Sequence, residues 1–264
     1  MDLSEIRTST QIRHPWETAR AAAIATLVTT EITDHRPHQP LRWLDVGAGD
    51  AWLAAEIHST LPAGSTMTCW DTEYTADHLN TFGAQYDTVS LTASPPDGRA
   101  DVISLFDVLE HIENDRDALA DIVDQYLVPG GYLIITVPAY NRLFTRHDTA
   151  LGHYRRYHRA SLHSVLPDNL SVMRDGGLFM SLLPARAAAV AAERLTTTIR
   201  RRATIDPPSE AGIGGWSRGP LTTRAIATVL GWDARASRAV SRAGRFLPGL
   251  SIWLVAQREL SPDR

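Results

Sequence analysis

The chain contains no lysine: all 26 of its basic residues are arginine. Schiff-base chemistry and a Walker-type phosphate loop both require lysine, so both are excluded. It has one cysteine, Cys69. A single thiol builds neither a disulfide scaffold nor a four-cysteine metal centre, and it suits a reducing compartment. A basic excess is lacking too, with 30 acids against 26 bases and a net charge of −4. Proteins that hold nucleic acid mainly by its phosphates carry the opposite balance, so no nucleic-acid partner is expected. Long apolar runs are also missing. The richest, residues 178–192, is interrupted by Pro184 and Arg186, and it falls short of the ~20 apolar residues of a bilayer span. Residues 1–17 carry scattered charges and no apolar targeting core. The expectation is a soluble, cytoplasmic protein with no integral membrane segment. No repeat or low-complexity tract stands out.

What is there is an ordinary globular composition, 264 residues with 44% hydrophobic and 21% charged, enough for one large domain with an insert. Residues 16–33 place Ala19, Ala23, Leu27 and Ile32 at helical spacing behind Pro15, which predicts an N-terminal helix. Residues 35–40 read as a polar linker. Apolar runs then alternate with helical patterns. Strands are predicted at 42–46, 66–70, 88–91, 101–105 and 132–137. Helices are predicted at 51–60, at 75–83 and after Asn114, read as an N-cap, while Pro129-Gly130-Gly131 reads as a turn. Such alternation means right-handed βαβ units and an α/β, doubly wound parallel sheet, here over residues 41–140. Further on, 161–165 predicts a short helix, 170–174 a strand, 178–201 a helix and 204–220 a loop. A helix broken near Gly231 follows at 221–243, and a last strand at 249–256. Residues 178–248 then form a helical insertion before that last strand.

The sharpest local signal is Leu44-Asp45-Val46-Gly47-Ala48-Gly49-Asp50, which follows a strand and opens a helix. Gly47 and Gly49 let the backbone turn tightly and approach a ligand, and the helix start behind them offers free N–H groups. Asp71 ends the next strand, where a carboxylate grips the ribose of a nucleotide. Trp52 occupies the third-glycine position of a dinucleotide loop, and Asp45 puts negative charge where a diphosphate would lie. A cationic or zwitterionic ligand with one ribose fits better, and S-adenosylmethionine is such a ligand.

With these pieces the chain resembles the class I S-adenosylmethionine-dependent methyltransferases, in particular the bacterial group related to the ubiquinone-biosynthesis methyltransferases. The resemblance rests on Leu-Asp-Val-Gly-Ala-Gly at 44–49, on Asp71 and on Phe-Asp-Val-Leu-Glu-His-Ile at 106–112. It continues through Leu-Val-Pro-Gly-Gly-Tyr-Leu-Ile-Ile-Thr-Val-Pro-Ala-Tyr at 127–140, and Gly-His-Tyr-Arg-Arg-Tyr at 152–157 is similar to a subset of the group. It implies a Rossmann-like seven-stranded sheet with the last strand antiparallel, within one domain spanning 1–264, with 1–40 as a helical lid. It further implies that Asp45 and the Gly47–Ala48–Gly49 backbone hold the methionine end. Asp71 and Thr72 would take the ribose side, and Leu105 and Phe106 would line the sulfonium. Family members often carry an acid after the third strand for the adenine amine. Here Ser90-Leu91 stands there, so Ser90 or backbone is expected to serve.

Methyl transfer is an in-line displacement from an activated carbon, so alignment and exclusion of water come first, and a hydroxyl, phenol or amine acceptor also calls for a base. Candidates for that base are His111, His153 and Tyr140, with His147 weaker. Asp107-x-x-Glu110-His111 resembles a divalent-cation arrangement of some relatives; the favoured reading is solvated or arginine-paired acids and no metal. Arg155-Arg156 offers a fork to an acidic substrate, against the favoured reading of an internal ion pair with Asp148 or Glu110. His14-Pro15-Trp16 is a candidate lid. The insertion, with Trp216 and Trp232, reads as an acceptor cap or a dimer contact, in a monomer or homodimer. The expected function is methylation, with oxygen slightly favoured, of a small molecule or short peptide in bacterial specialised metabolism. The alternatives are a lipid-like or prenylated acceptor, a non-catalytic S-adenosylmethionine-binding protein, or a dinucleotide-dependent oxidoreductase.

Overall fold

The computed structural model describes residues 13–35, 39–200 and 220–260. Seven strands form one sheet: β1 (Arg42–Val46), β2 (Thr66–Trp70), β3 (Ser90–Thr92), β4 (Ala100–Phe106), β5 (Leu127–Pro138), β6 (Leu170–Leu178) and β7 (Ser251–Arg258). Their order is β3-β2-β1-β4-β5-β7-β6. The first five strands run parallel, and β7 lies antiparallel between β5 and β6. This is the seven-stranded Rossmann-like sheet expected from the resemblance.

Alternation along the strands divides the core into two layers, because successive side chains leave opposite faces of the sheet. Trp43, Val102, Ile134 and Trp253 pack on one face beneath α1 (Pro15–Glu31), α2 (Trp52–His58) and α8 (Pro220–Arg242). Leu44, Ile103, Leu133 and Leu254 pack on the other face, against α4 (Asp115–Tyr126) and α6 (Arg159–Ser164). In chain order α3 (Ala76–Gln85), α5 (Arg146–Ala150) and α7 (Leu183–Arg200) come between these helices. The chain crosses from one side of the sheet to the other between β1 and β4, which opens a crevice at the carboxyl ends of those strands.

Several local expectations change in three dimensions. The turn at Pro129-Gly130-Gly131 is a bulge inside β5: Ala100 pairs with Leu127 and Val102 with Tyr132. Strand β6 runs on through Gly176-Gly177 to Leu178, because a Cβ on Gly177 would sit 2.3 Å from the Gly249 nitrogen. Helix α8 passes unbroken through Gly231, which lines a shallow groove with Ala19, Ala22 and Ala23 of α1. Asn114 precedes α4 without a side-chain cap bond, and α5, which the sequence pattern does not predict, is opened by a Thr145/Asp148 capping box. Helices α7 and α8 fall between β6 and β7, as the insertion was read. Of the loop expected at 204–220, residues 204–219 and with them Trp216 lie outside the described residues, while Pro220 opens α8. Among the described residues no helix is long and apolar enough to cross a membrane.

Candidate active site

The loop after β1 is held open by backbone geometry. Gly47 has φ +66° and Gly49 φ +57°. A Cβ on Gly47 would meet Val108 Cγ2 at 2.6 Å, so only glycine fits there. The Gly47 N–H donates to the Trp70 carbonyl at 2.7 Å, and the Gly49 N–H donates to Asp71 Oδ2 at 3.0 Å. Asp71 Oδ1 accepts from the Glu73 N–H at 3.0 Å. One carboxylate thus ties the β1 loop to the β2 loop. It also borders a cavity of about 430 Å³ lined by Val46, Gly47, Thr72, Val108 and Ile112.

On the other side of the loop lies a tight pocket lined by Trp16, Arg20, Asp45, Ala48, Trp52 and Phe106. Asp45 is buried there. The Ser104 hydroxyl donates to its Oδ1 at 2.5 Å and itself accepts from Trp43 Nε1 at 2.8 Å. Desolvation outweighs that bond and pushes the Asp45 carboxyl up to about 6. Arg20 reaches in from α1, 5% exposed, and its Nη2 lies 2.7 Å from Thr136 Oγ1 and 2.8 Å from Asp107 Oδ2. Its Nε is buried without a partner. Arg13 pairs with Asp50 and lies over the Trp52 ring at 4.5 Å. Arg20 went unnoticed in the sequence, yet it leaves a trace: an arginine in register with Ala23, Ile24 and Leu27 on the apolar side of α1.

A third cavity, of about 210 Å³, adjoins the first two through Asp107, His111 and Arg20. Its floor is organised by Asp148, which is 1% exposed. Asp148 accepts from the Thr145 N–H (2.8 Å), Arg156 Nε (2.6 Å) and Arg186 Nη2 (3.2 Å), and His153 Nδ1 lies 3.2 Å away. Burial opposes its ionisation, but the bonds from His153 and Arg156 prevail and hold the carboxyl well below the usual range. The His111 and His153 rings meet edge to face with centroids 4.6 Å apart. Glu110 is fully buried beside them with neither carboxylate oxygen hydrogen-bonded. Desolvation, reinforced by Asp107, pushes that carboxyl well above its ordinary range.

The residues singled out in the sequence are therefore distributed unevenly. Asp45, Gly47, Ala48, Asp71, Thr72 and Phe106 all border the two cavities around the glycine loop, and Gly49 is fixed to Asp71. Leu105 is fully buried among the apolar residues of the sheet, one residue short of the crevice, and Ser90 is an exposed residue of β3, away from it. His111, His153 and His147 line the third cavity, whereas Tyr140 borders a different one with Leu143, His158 and Leu183. Arg156 is engaged by Asp148, and Arg155 by Asp115 at 2.9 Å, so neither presents a free fork. The set Asp107, Glu110 and His111 does not converge, since Asp107 faces Arg20 and Thr136. Glu110, His111 and His153 do converge, with ligand atoms within 4.8 Å of one another, a donor set able to hold a divalent ion.

A family model described as a methyltransferase domain matches residues 16–194. Among curated protein sequences there is no match. Solved structures of similar fold include the [4+2]-cyclase SpnF (16% identity, 96% of this chain and 86% of that one, TM-score 0.54). Coclaurine N-methyltransferase bound to N-methylheliamine and S-adenosylhomocysteine is another (14%, 96% and 76%, TM-score 0.52). A third is the plantazolicin methyltransferase BpumL with S-adenosylhomocysteine (12%, 93% and 85%, TM-score 0.51). At these identities the likeness is one of fold; the family match, which spans most of the chain, carries more. The chain belongs to the methyltransferase domain family, enzymes that draw their methyl group from S-adenosylmethionine.

Proposed function

We propose that the protein methylates an oxygen of a small-molecule or short-peptide acceptor, held in the His111/His153 cavity next to the cofactor. The observation that carries this reading is the Asp148–His153 pair in that cavity. A carboxylate within 3.2 Å of Nδ1 fixes the ring with its proton on that nitrogen, leaving Nε2 as an acceptor. A base so placed serves an acceptor that must lose a proton as it is methylated, which favours a hydroxyl or phenol. Bacterial specialised metabolism is the setting we infer from the resemblance.

The residues around the glycine loop fit the cofactor. Its methionine ammonium suits Asp45, and its carboxylate suits the buried Arg20, whose Nε is unpartnered. Asp71 and Thr72 border the space for a ribose. A diphosphate would face Asp45, Asp50 and Asp71 together, and Trp52 fills part of the pocket it would need. When bound, the cofactor supplies a methyl group already activated on a positive sulfur. The chain's part is to align, to exclude water with Trp16 of the N-terminal helix, and to accept the acceptor's proton at His153 Nε2.

Titration calorimetry tests the cofactor assignment. S-adenosylhomocysteine is expected to bind and NADH not to; the reverse result overturns the reading. The binding is also expected to depend on pH. An ammonium requires ionised Asp45, whose carboxyl burial pushes up to about 6. Affinity should therefore be about tenfold weaker at pH 5 than at pH 7, and Asp45→Asn should abolish the dependence while weakening binding throughout. A prenylated or lipid-like acceptor is the second reading. Turnover separates either from a protein that only binds the cofactor.

A further inference from the structure

Charge is distributed unevenly along this chain. Residues 179–250, the insertion between β6 and β7, contain eleven arginines and four acids, whereas the rest of the chain contains fifteen arginines and 26 acids. An acidic body thus carries a basic attachment. The two acids on α7 and α8 are both engaged: Asp233 is buried and accepts from the Ser181 N–H and hydroxyl at 2.7 and 2.8 Å, and Glu193 accepts from the Arg146 N–H at 3.1 Å.

Helix α8 shows how the charge is displayed. Leu230, Ala234, Ser237 and Ser241 are buried against the body, the first two in the layer shared with α1. Arg224, Arg235 and Arg242 are exposed along one flank of the helix, the flank beside α1, where Arg235 borders the groove between the two helices. They are eleven and seven residues apart, which places them within about 20° of one line along the helix. Trp232, 64% exposed, lies about 60–80° farther round the helix on its outward side, and Val229, 49% exposed, about 60° beyond it. Arg224 and Arg235 make no ion pair with any described residue, and Arg242 reaches only Glu31, at 3.7 Å. Burial, with Arg242 and Arg235 close by, pushes the half-buried Arg238 guanidinium below its ordinary value, with Glu31 alone opposing.

We propose that the exposed face of α8 docks on an anionic membrane surface. An outward face with an exposed indole and a branched aliphatic side chain, flanked on one side by a row of arginines, is the pattern of a helix lying in a lipid headgroup region. There the guanidinium groups meet phosphates and the apolar side chains enter the acyl boundary. Nucleic acid would use the arginines but leaves Trp232 and Val229 without an apolar phase. A second copy of the acidic body would match the charge but likewise leaves those two side chains without a stated partner. Helix α8 packs on α1, which brings Trp16 and Arg20 to the cavities, and α7 contributes Arg186. The docked face therefore lies on a helix packed against α1, an element that borders the acceptor site.

The test is co-sedimentation of the full chain with vesicles of phosphatidylcholine alone and with about 25% phosphatidylglycerol, at low and high salt. Binding is expected only with the anionic lipid, and salt should weaken it. The double variant R224A/R235A should lose about 30-fold in partitioning, since each arginine at an anionic surface contributes about 1 kcal/mol. Trp232→Ala should weaken binding in a salt-independent way. Both variants change exposed side chains, so unchanged circular dichroism and unchanged S-adenosylhomocysteine affinity serve as controls. Four results would overturn the proposal. They are equal binding to neutral vesicles, indifference to R224A/R235A, binding of poly(U) without vesicles, or self-association that Trp232→Ala abolishes without vesicle binding.

Discussion

Replacing Asp71 with alanine is expected to weaken S-adenosylmethionine and S-adenosylhomocysteine binding at least about 100-fold while the protein stays folded. The carboxylate has two roles that fail together. It fixes the Gly49 and Glu73 N–H groups, each at 3.0 Å, and so sets the shape of the cradle. Its remaining lone pairs face the cavity where we place the ribose. Hydrogen bonds to a charged group contribute about 1.5–3 kcal/mol each, so losing two from the ribose costs about 3 kcal/mol at the low end. Asp71→Asn should fall between the two, since its amide keeps one acceptor and turns the other into a donor. Calorimetry with S-adenosylhomocysteine measures both. A loss below about fivefold in Asp71→Ala would mean that the ribose lies elsewhere.

The second large effect concerns the acceptor cavity. His153→Ala is expected to lower kcat/KM by about 10²–10⁴-fold, the usual contribution of a positioned base, with cofactor affinity unchanged. The convergence of Glu110, His111 and His153 permits another account, in which a divalent ion activates the acceptor. Two outcomes separate them. A base predicts full activity in EDTA and a much larger loss for His153→Ala than for Glu110→Gln. A metal predicts loss in EDTA, restoration by one cation, and comparable losses for both variants.

Asp148 should reveal itself mainly through stability. It is buried among Arg156, Arg186 and His153, so Asp148→Asn leaves two guanidinium groups facing a neutral amide. Breaking a buried pair in this way costs about 3–5 kcal/mol, to be read by urea unfolding. The folded state holds this carboxyl below its unfolded value of 3.8. Its contribution is therefore complete above that pH and declines as the pH falls further, toward the lower folded value. The wild type should lose stability over that acidic range, and the asparagine variant should lose less.

How much of this was legible without coordinates depends on how local each signal is. Gly47, Gly49 and Asp71 could be found because a tight turn and a strand end leave marks within a few residues. The C-terminal half was harder. The strand predicted at 170–174 runs on to Leu178, and only the packing of Gly249 against Gly177 shows why it needs glycine there. Tyr140 and His153 both sit on loops after β5, yet they face different cavities. Arg155 and Arg156 are neighbours in sequence, yet they are bound to different acids.

By itself the sequence determined the parallel core, the glycine turn with the strand-end acid beside it, and the exclusion of lysine and phosphate-loop chemistry. Each follows from periodicity, from backbone freedom or from the absence of a residue type. Only the tertiary structure decided that Arg20 enters the pocket beside the glycine loop, that Asp148 gathers two arginines and a histidine, and that Arg224 and Arg235 flank the open face that carries Trp232. Those arrangements join side chains from separate elements. Which atoms meet there is set by how helices pack on the sheet, and no run of neighbouring residues encodes it.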